Sequence, residues 1–146
     1  MPTYIVTAPD DLLSQPQKNR LAAEITRVHC EVTGAPAYFA QVIFVDVKSG
    51  NYFMGGKPLD ADHVFVHGQI RDGRTAEAKN RLLLGMMEVA AKVAEIPKSH
   101  VGVYIVEVPS AQIAEYGQPL PGPGEEQAWT ASLAPDVRQR MEAVGR

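Results

Sequence analysis

The sequence has little cysteine, few aromatic residues and no strong excess of charge. Cys30 is the only cysteine in 146 residues, which excludes an internal disulfide, and its place on a predicted helix favours a small buried hydrophobe over a nucleophile. Aromatic residues make up 7% of the chain and the formal net charge is −3, which is not the pattern of a nucleic-acid-binding protein. No apolar run approaches the roughly 20 residues that span a bilayer. We expect a cytoplasmic protein without nucleic-acid or membrane partners.

The chain contains a gapless internal duplication. Residues 2–47 align with residues 63–108 at an offset of 61, with eleven identities in 46 positions. The longest shared run is Lys-Asn-Arg-Leu, at positions 18–21 and 79–82. We predict a single domain over residues 1–146, with a first unit at 2–47, a connecting hairpin or loop at 48–62, a second unit at 63–108 and a tail at 109–146.

Each unit has the pattern of a strand, a helix and a second strand. In the first unit, Ser14 and Gln17 form a capping-box pattern and Gly34 ends the helical period. In the second unit, Thr75 is the predicted cap and Pro97 the predicted end of the helix. The predicted strands are 2–7, 38–47, 63–70 and 101–108, and a further short helix is predicted at 136–143 in the tail.

This order of elements predicts an α/β fold. Right-handed crossovers would make the two strands of each unit parallel, giving a four-stranded sheet with both helices on one face. Nothing in the sequence covers the other sheet face, so we expect an oligomer. Trp129 indicates that the tail packs on its own body or on a neighbouring subunit.

Pro2 is a candidate catalytic residue because of its position. Removal of Met1 would expose a secondary amine, a better base and nucleophile than an internal backbone nitrogen. At the start of a strand this amine would be held in place and partly desolvated, so that neighbouring groups could tune its pKa. The alternative is that the Met-Pro start reflects processing alone.

Arg71 and Arg74 lie between the third predicted strand and its helix. Two guanidinium groups beside free helix N–H groups suit a carboxylate, because the guanidinium fork is bidentate and a helix N-terminus favours negative charge. The alternative is a solvated pair. The equivalent positions of the first unit hold Asp10 and Leu13, so the pair is not a requirement of the repeated fold.

Three further residues could take part in chemistry. His29 lies late on the first helix, where its equivalent is Ala90, so the helix does not need an imidazole there. Tyr104 lies on the last strand and Glu115 lies after it. A buried structural histidine, a packing tyrosine and a solvated surface carboxylate are the competing interpretations.

Together, these residues on a duplicated chain of this length resemble the cis-3-chloroacrylic acid dehalogenase family of the tautomerase superfamily. The resemblance covers nearly the whole chain and implies a tautomerase-like fused pair of β-α-β units that assembles as a homotrimer. It includes the segments Ala40-Gln41-Val42, Phe65-Val66-His67-Gly68, Arg71-x-Gly73-Arg74, Glu115-Tyr116-Gly117 and Leu120-Pro121.

The resemblance also implies residue roles. Arg71 and Arg74, assisted by His29, would bind the carboxylate of a small substrate and make C3 electrophilic. Glu115 would be the general base for a water molecule, which Tyr104 would orient.

In the same implied mechanism, Pro2 as a prolinium cation would protonate C2. The implied activity is that of a hydrolytic dehalogenase or hydratase that converts cis-3-chloroacrylate to malonate semialdehyde, with no metal or organic cofactor.

Two alternatives stay open from the sequence. Arginines near Pro2 would lower its pKa and make it a base for keto–enol tautomerisation of 2-hydroxyalkenoates or phenylenolpyruvate, whereas Glu115 would favour the cation. A trimeric binding protein with a vestigial pocket is the alternative from a different class.

Overall fold

A computed structural model describes residues 2–122 and 124–144, and the predicted α/β fold is confirmed. The first unit consists of β1 (Thr3–Pro9), α1 (Gln15–Thr33) and β2 (Gln41–Val47), followed by a small hairpin of β3 (Phe53–Met54) and β4 (Lys57–Pro58). The second unit consists of β5 (Val64–Arg71), α2 (Ala76–Ala94) and β6 (Val101–Val108), followed by a hairpin of β7 (Ala114–Glu115) and β8 (Gln118–Pro119). Helices α3 (Glu126–Ser132) and α4 (Pro135–Ala143) follow.

The four long strands form one mixed sheet in the order β2-β1-β5-β6. The strands of each unit are parallel, as predicted from the crossover rule, and β1 pairs antiparallel with β5, with Val6 opposite Val66. Because equivalent strands meet in antiparallel orientation, the two units are related by an approximate twofold axis between β1 and β5.

The predicted helix starts are confirmed. The Ser14 side chain accepts from the Gln17 backbone N–H, and the Gln17 side chain accepts from the Ser14 N–H, which completes the capping box of α1. Thr75 caps α2 by accepting from the Ala78 N–H. Helix α2 ends after Ala94, where Glu95 adopts a left-handed conformation with φ 58°, and Pro97, the predicted stop, follows two residues later.

The core lies between the helices and one face of the sheet. Both amphipathic helices cover this face, as their apolar stripes predicted. Cys30 is half-buried rather than fully buried, and burial raises the pKa of its thiol. The fully buried side chains of the core include Tyr4, Leu21, Ile25, Ile70, Leu82 and Met86.

The opposite face of the sheet is open within the chain. Ile43 and Val45 on β2 and Tyr104 and Val106 on β6 are exposed there. Side chains alternate between the two faces of a strand, so these residues point away from the helices. The prediction of one uncovered sheet face therefore holds for the residues that the structure describes.

The duplication extends through the hairpins. The β3–β4 hairpin and the β7–β8 hairpin start 61 residues apart, and Ser49, Gly56, Pro58 and Leu59 recur as Ser110, Gly117, Pro119 and Leu120. Equivalent hydrogen bonds close both hairpins, from Leu59 N–H to Tyr52 O at 2.8 Å and from Leu120 N–H to Ile113 O at 2.9 Å. The connecting hairpin and the start of the tail are thus copies of one element.

An ion pair between helix and strand is also duplicated. Lys18 of α1 contacts Asp46 of β2 at 2.6 Å, and Lys79 of α2 contacts Glu107 of β6 at 2.8 Å. Partly exposed pairs of this kind contribute little to stability. Their common role is to join each helix to the strand that follows it.

The tail packs on the body of its own chain. Trp129 and Leu133 are buried with Leu120 and Met141, and Tyr38 and Phe39 from the first unit pack against this cluster. Helix α4 was predicted, whereas α3 was not. None of the helices in the described part of the chain has the length and apolar character of a bilayer-spanning segment.

Gly68→Ala should destabilise the sheet. A Cβ added at Gly68 would lie 2.6 Å from Tyr4 Cε1 and 2.9 Å from Ile105 Cδ1, and the Tyr4 ring is fully buried. Overpacking of this kind costs about 1–3 kcal/mol in the free energy of unfolding, which urea denaturation would measure. Gly102→Ala, whose Cβ would lie 3.1 Å from Phe65 on the open face, should cost less, and equal losses would contradict the packing described.

Candidate active site

A cavity of about 650 Å³ lies beside the C-terminal end of α1, with tail residues forming part of its wall. Four of the six site residues predicted from the sequence line it, namely Pro2, His29, Arg71 and Arg74. They come from the start of β1, from α1, from the end of β5 and from the loop before α2. The structure therefore brings together residues that lie up to 72 positions apart in the chain.

His29 is held by Tyr4. The Tyr4 hydroxyl lies 2.7 Å from His29 Nδ1, and both side chains are buried. Burial raises the pKa of Tyr4, so its hydroxyl keeps its proton and can donate it to Nδ1. The imidazole proton then lies on Nε2, which leaves that nitrogen as a hydrogen-bond donor.

His29 is neutral at physiological pH. Burial, together with the positive charge of Arg74, lowers its pKa from 6.5 to about 4. The Arg74 charge thus acts directly on the imidazole. A neutral imidazole can donate one hydrogen bond to a carboxylate without adding charge to the cavity.

Arg71 is tied to the tail. Its side chain is 13% exposed, its Nη2 donates to Glu126 Oε1 at 2.5 Å, and its Nη1 donates to the Pro121 carbonyl oxygen at 3.2 Å. The guanidinium lowers the pKa of Glu126. Arg71 therefore has a carboxylate partner from its own chain.

Arg74 has a different environment. Its Nη1 donates to the Thr33 carbonyl oxygen at the end of α1, at 3.3 Å. Within the described residues no carboxylate lies in ion-pair contact with Arg74. Of Arg71 and Arg74, it is therefore Arg74 that has no carboxylate partner among the described residues and is available to an external anion.

Aromatic residues form one wall of the cavity. Tyr38 and Phe39 come from a short 3-10 turn before β2, and Trp129 comes from α3. The Phe39 and Trp129 rings lie 6.4 Å apart, and the Trp129 indole N–H donates to the Pro119 carbonyl oxygen at 2.8 Å. The sequence analysis did not identify this wall, because it depends on how the tail folds back onto the first unit.

Glu115 lies on β7, next to the cavity wall but outside the residues that line it. It is half-buried, and burial raises its pKa. The turn beyond it contains Tyr116 at φ 53° and Gly117 at φ 81°, where the first unit has two glycines. The left-handed backbone of Tyr116 is strained. The Tyr116 hydroxyl donates to the Tyr38 carbonyl oxygen at 3.3 Å, which links the β7–β8 hairpin to the aromatic wall of the cavity.

Tyr104 lies away from the cavity. It is 62% exposed on the open face of the sheet, where its ring packs edge-on against Phe65 at 4.9 Å. The cavity lies on the helix side of the sheet. Within a single chain Tyr104 is therefore separated from the four predicted site residues that line the cavity.

Comparisons with known proteins identify the family. A family model described as "Putative oxalocrotonate tautomerase enzyme" matches residues 1–132. The chain is similar in structure to N1, a member of the cis-3-chloroacrylic acid dehalogenase family, with 36% sequence identity and a TM-score of 0.90 over 96% of this chain and 98% of N1. The chain belongs to the cis-3-chloroacrylic acid dehalogenase family. This family is part of the tautomerase superfamily.

More distant structures share the fold. The native structure of Ps01740 is 30% identical, with a TM-score of 0.73 over 77% of this chain and 99% of that one. The F6 fused 4-OT asymmetric trimer is 22% identical, with a TM-score of 0.72 over 87% of this chain and 98% of that one. Among curated proteins, no sequence has a significant match to this chain.

In this dehalogenase-family chain, the twofold equivalent of the cavity differs in chemistry. A smaller cavity of about 330 Å³ is lined by His63, Leu59 and His100, which are equivalent to Pro2, Leu120 and Phe39. Burial and the nearby His100 lower the pKa of His63. The duplicated fold therefore builds two cavities, of which one contains the arginine pair and the chain-start proline.

The described residues offer no group of three or more His, Cys, Asp or Glu side chains placed to hold a metal ion.

The neutral state of His29 should make stability depend on pH. The unfolded pKa of 6.5 exceeds the folded pKa of about 4, so the unfolded state binds the proton first as the pH falls. The stabilisation is present above pH 6.5 and is lost progressively toward pH 4, by about 3 kcal/mol in total. Urea denaturation at several pH values would measure the free energy of unfolding, which should change less with pH in this window for His29→Gln than for the wild type. An NMR titration of His29 in the folded wild type should give a midpoint near the folded pKa. Identical slopes in both proteins would contradict the burial of a neutral imidazole.

Proposed function

We propose that the protein is a cofactor-independent hydrolytic dehalogenase or hydratase of small unsaturated three-carbon acids such as cis-3-chloroacrylate, and that it uses Pro2 after removal of Met1. One observation carries this proposal. Pro2, His29, Arg71 and Arg74 line the same cavity, in a chain that is similar to a member of the cis-3-chloroacrylic acid dehalogenase family over almost its whole length.

Arg71, Arg74 and His29 are proposed to bind the substrate carboxylate. Guanidinium groups bind a carboxylate through charge-assisted, bidentate hydrogen bonds, and the neutral imidazole adds one N–H donor. Their pull on the carboxylate draws electron density from the conjugated double bond. C3 thereby becomes electrophilic and can accept a nucleophile.

Glu115 is the proposed general base. It takes a proton from a water molecule whose oxygen forms a bond to C3, and prolinium at Pro2 transfers its proton to C2. The product carries chlorine and hydroxyl on C3. Loss of chloride from C3 and of the hydroxyl proton gives malonate semialdehyde. The half-buried setting of Glu115, which raises its pKa, suits a base that works near neutral pH.

We propose a homotrimer as the active assembly. The fused 4-OT relative is a trimer, and the apolar residues of the open sheet face need a cover that a single chain does not supply. Assembly through this face would place Tyr104 at the interface between subunits. Tyr104 of one subunit could then orient the water in the cavity of an adjoining one.

Tautomerase activity is the second candidate, and the cavity favours it in one respect. A volume of about 650 Å³ with a mostly apolar wall that includes Tyr38, Phe39 and Trp129 exceeds what a three-carbon acid fills. A 2-hydroxyalkenoate or phenylenolpyruvate would fill it better. The Arg74 charge disfavours prolinium, so that Pro2 could act as a neutral base.

The decisive experiment is proton NMR of cis-3-chloroacrylate incubated with protein whose mass shows that Met1 is absent. The proposal predicts malonate semialdehyde as the product. It predicts no product with Pro2→Ala, because an N-terminal alanine offers a primary amine with a different basicity and position. A processed protein that leaves this substrate intact but ketonises phenylenolpyruvate would support the tautomerase instead. No turnover of either compound would indicate a binding protein with a vestigial pocket.

Glu115→Gln should separate the two activities. Glutamine keeps the size of the side chain but cannot accept a proton from water, so dehalogenation should fall by about 10²-fold or more. Tautomerisation needs Pro2 and the carboxylate-binding groups and should change by less than a few-fold, which makes it the internal control. NMR and ultraviolet assays of the same preparation would measure both rates. Equal loss of both activities would contradict a separate role for Glu115.

A further inference from the structure

Glu126 of the same chain forms an ion pair with Arg71, one of the two arginines of the pair Arg71 and Arg74. Its carboxylate accepts from Arg71 Nη2 at 2.5 Å, while the Pro121 carbonyl oxygen accepts from Arg71 Nη1 at 3.2 Å. Both partners belong to the tail that forms part of the cavity wall. Arg71 is therefore paired before any ligand arrives, whereas Arg74 contacts only a backbone carbonyl oxygen among the described residues.

The two ends of this ion pair differ in exposure. The Arg71 side chain is 13% exposed, whereas the Glu126 side chain is 43% exposed. Loss of the pair leaves Glu126 solvated by water, but leaves a largely buried guanidinium in need of another anion. If the carboxylate of a ligand in the cavity replaces Glu126, Glu126 is solvated by water and Arg71 again has an anionic partner.

We propose that Glu126 is a specificity-determining residue that competes with the substrate carboxylate for Arg71, so that a ligand binds both arginines only by displacing the Glu126 side chain. This inference rests on the proposed function, in which the arginine pair binds a carboxylate. Glu126 thereby sets the affinity of the site for small acids. Weakly bound anions contact Arg74 alone, and only a ligand that also fits beside Pro2 displaces Glu126.

The geometry assigns the competing role to Glu126 and not to its neighbour. Glu125 precedes it in the chain, but its carboxylate accepts from the Gly122 N–H at 3.0 Å and contacts no arginine of the cavity in the structure. The two residues carry the same charge one position apart. Glu125→Gln is therefore a matched control for Glu126→Gln.

The first test uses propionate, an unreactive three-carbon acid, in NMR titrations of the wild type and both variants. If the state with a free Arg71 is about one-tenth populated in the wild type, Glu126→Gln should bind propionate about tenfold more tightly. Glu125→Gln should bind like the wild type. Circular dichroism would establish that each variant is folded.

The second test needs no variant. Saturation of the wild type with propionate should raise the pKa of Glu126, followed by ¹³C NMR, because the carboxylate then loses the guanidinium that now lowers it. A purely structural ion pair would not respond to the ligand.

The outcomes distinguish the inference from the proposed function. Equal or weaker propionate binding by folded Glu126→Gln, or an unchanged Glu126 pKa at saturation, would overturn the inference and show that Glu126 orients or anchors Arg71. Failure of every protein, including the wild type, to bind propionate would overturn the proposed carboxylate site, and the inference with it.

Discussion

A largely buried guanidinium must have an anionic partner, and Arg71 places that requirement at the wall of the cavity. A buried cation without a counter-charge costs several kcal/mol, and removal of one partner from a buried pair is strongly destabilising. Glu126 meets the requirement in the free chain. The proposed substrate would meet it during catalysis. In the proposed mechanism, the affinity for small acids and the polarisation of the double bond both depend on which carboxylate Arg71 holds.

The second constraint is the duplication. Both units contain the same strands, helices, hairpins and helix–strand ion pairs, so these features serve the fold. The candidate chemistry lies where the units differ. His29 aligns with Ala90 of the other unit, Arg71 with Asp10, and Glu115 with Met54. In the described part of the chain, the cavity beside the start of β1 thus has side chains suited to a carboxylate, whereas the smaller cavity beside the start of β5 is lined by different residues.

Local patterns predicted the fold well because its determinants are local. The capping box at Ser14 and the apolar periods of both helices act within a few residues, and the sequence contains them in full. Pro97 marked the end of α2 to within three residues, but the cap itself was not predictable, since Glu95 adopts the left-handed conformation that usually belongs to glycine.

The site was predictable in part. The comparison of the two units singled out His29 and the arginines, and these residues do lie in one cavity. The ion pair of Arg71 with Glu126 was not predictable, because it joins residues 55 positions apart through a tail whose course no local pattern determines. The separation of Tyr104 from the cavity likewise depends on which sheet face a strand residue occupies and on the assembly of subunits.

The most direct measurement is a crystal structure of the processed protein soaked with propionate. The account predicts the propionate carboxylate in contact with both Arg71 and Arg74, its carbon chain beside the Pro2 nitrogen, and the Glu126 side chain turned away from Arg71. Propionate bound elsewhere, with Glu126 still on Arg71 at saturation, would contradict the account.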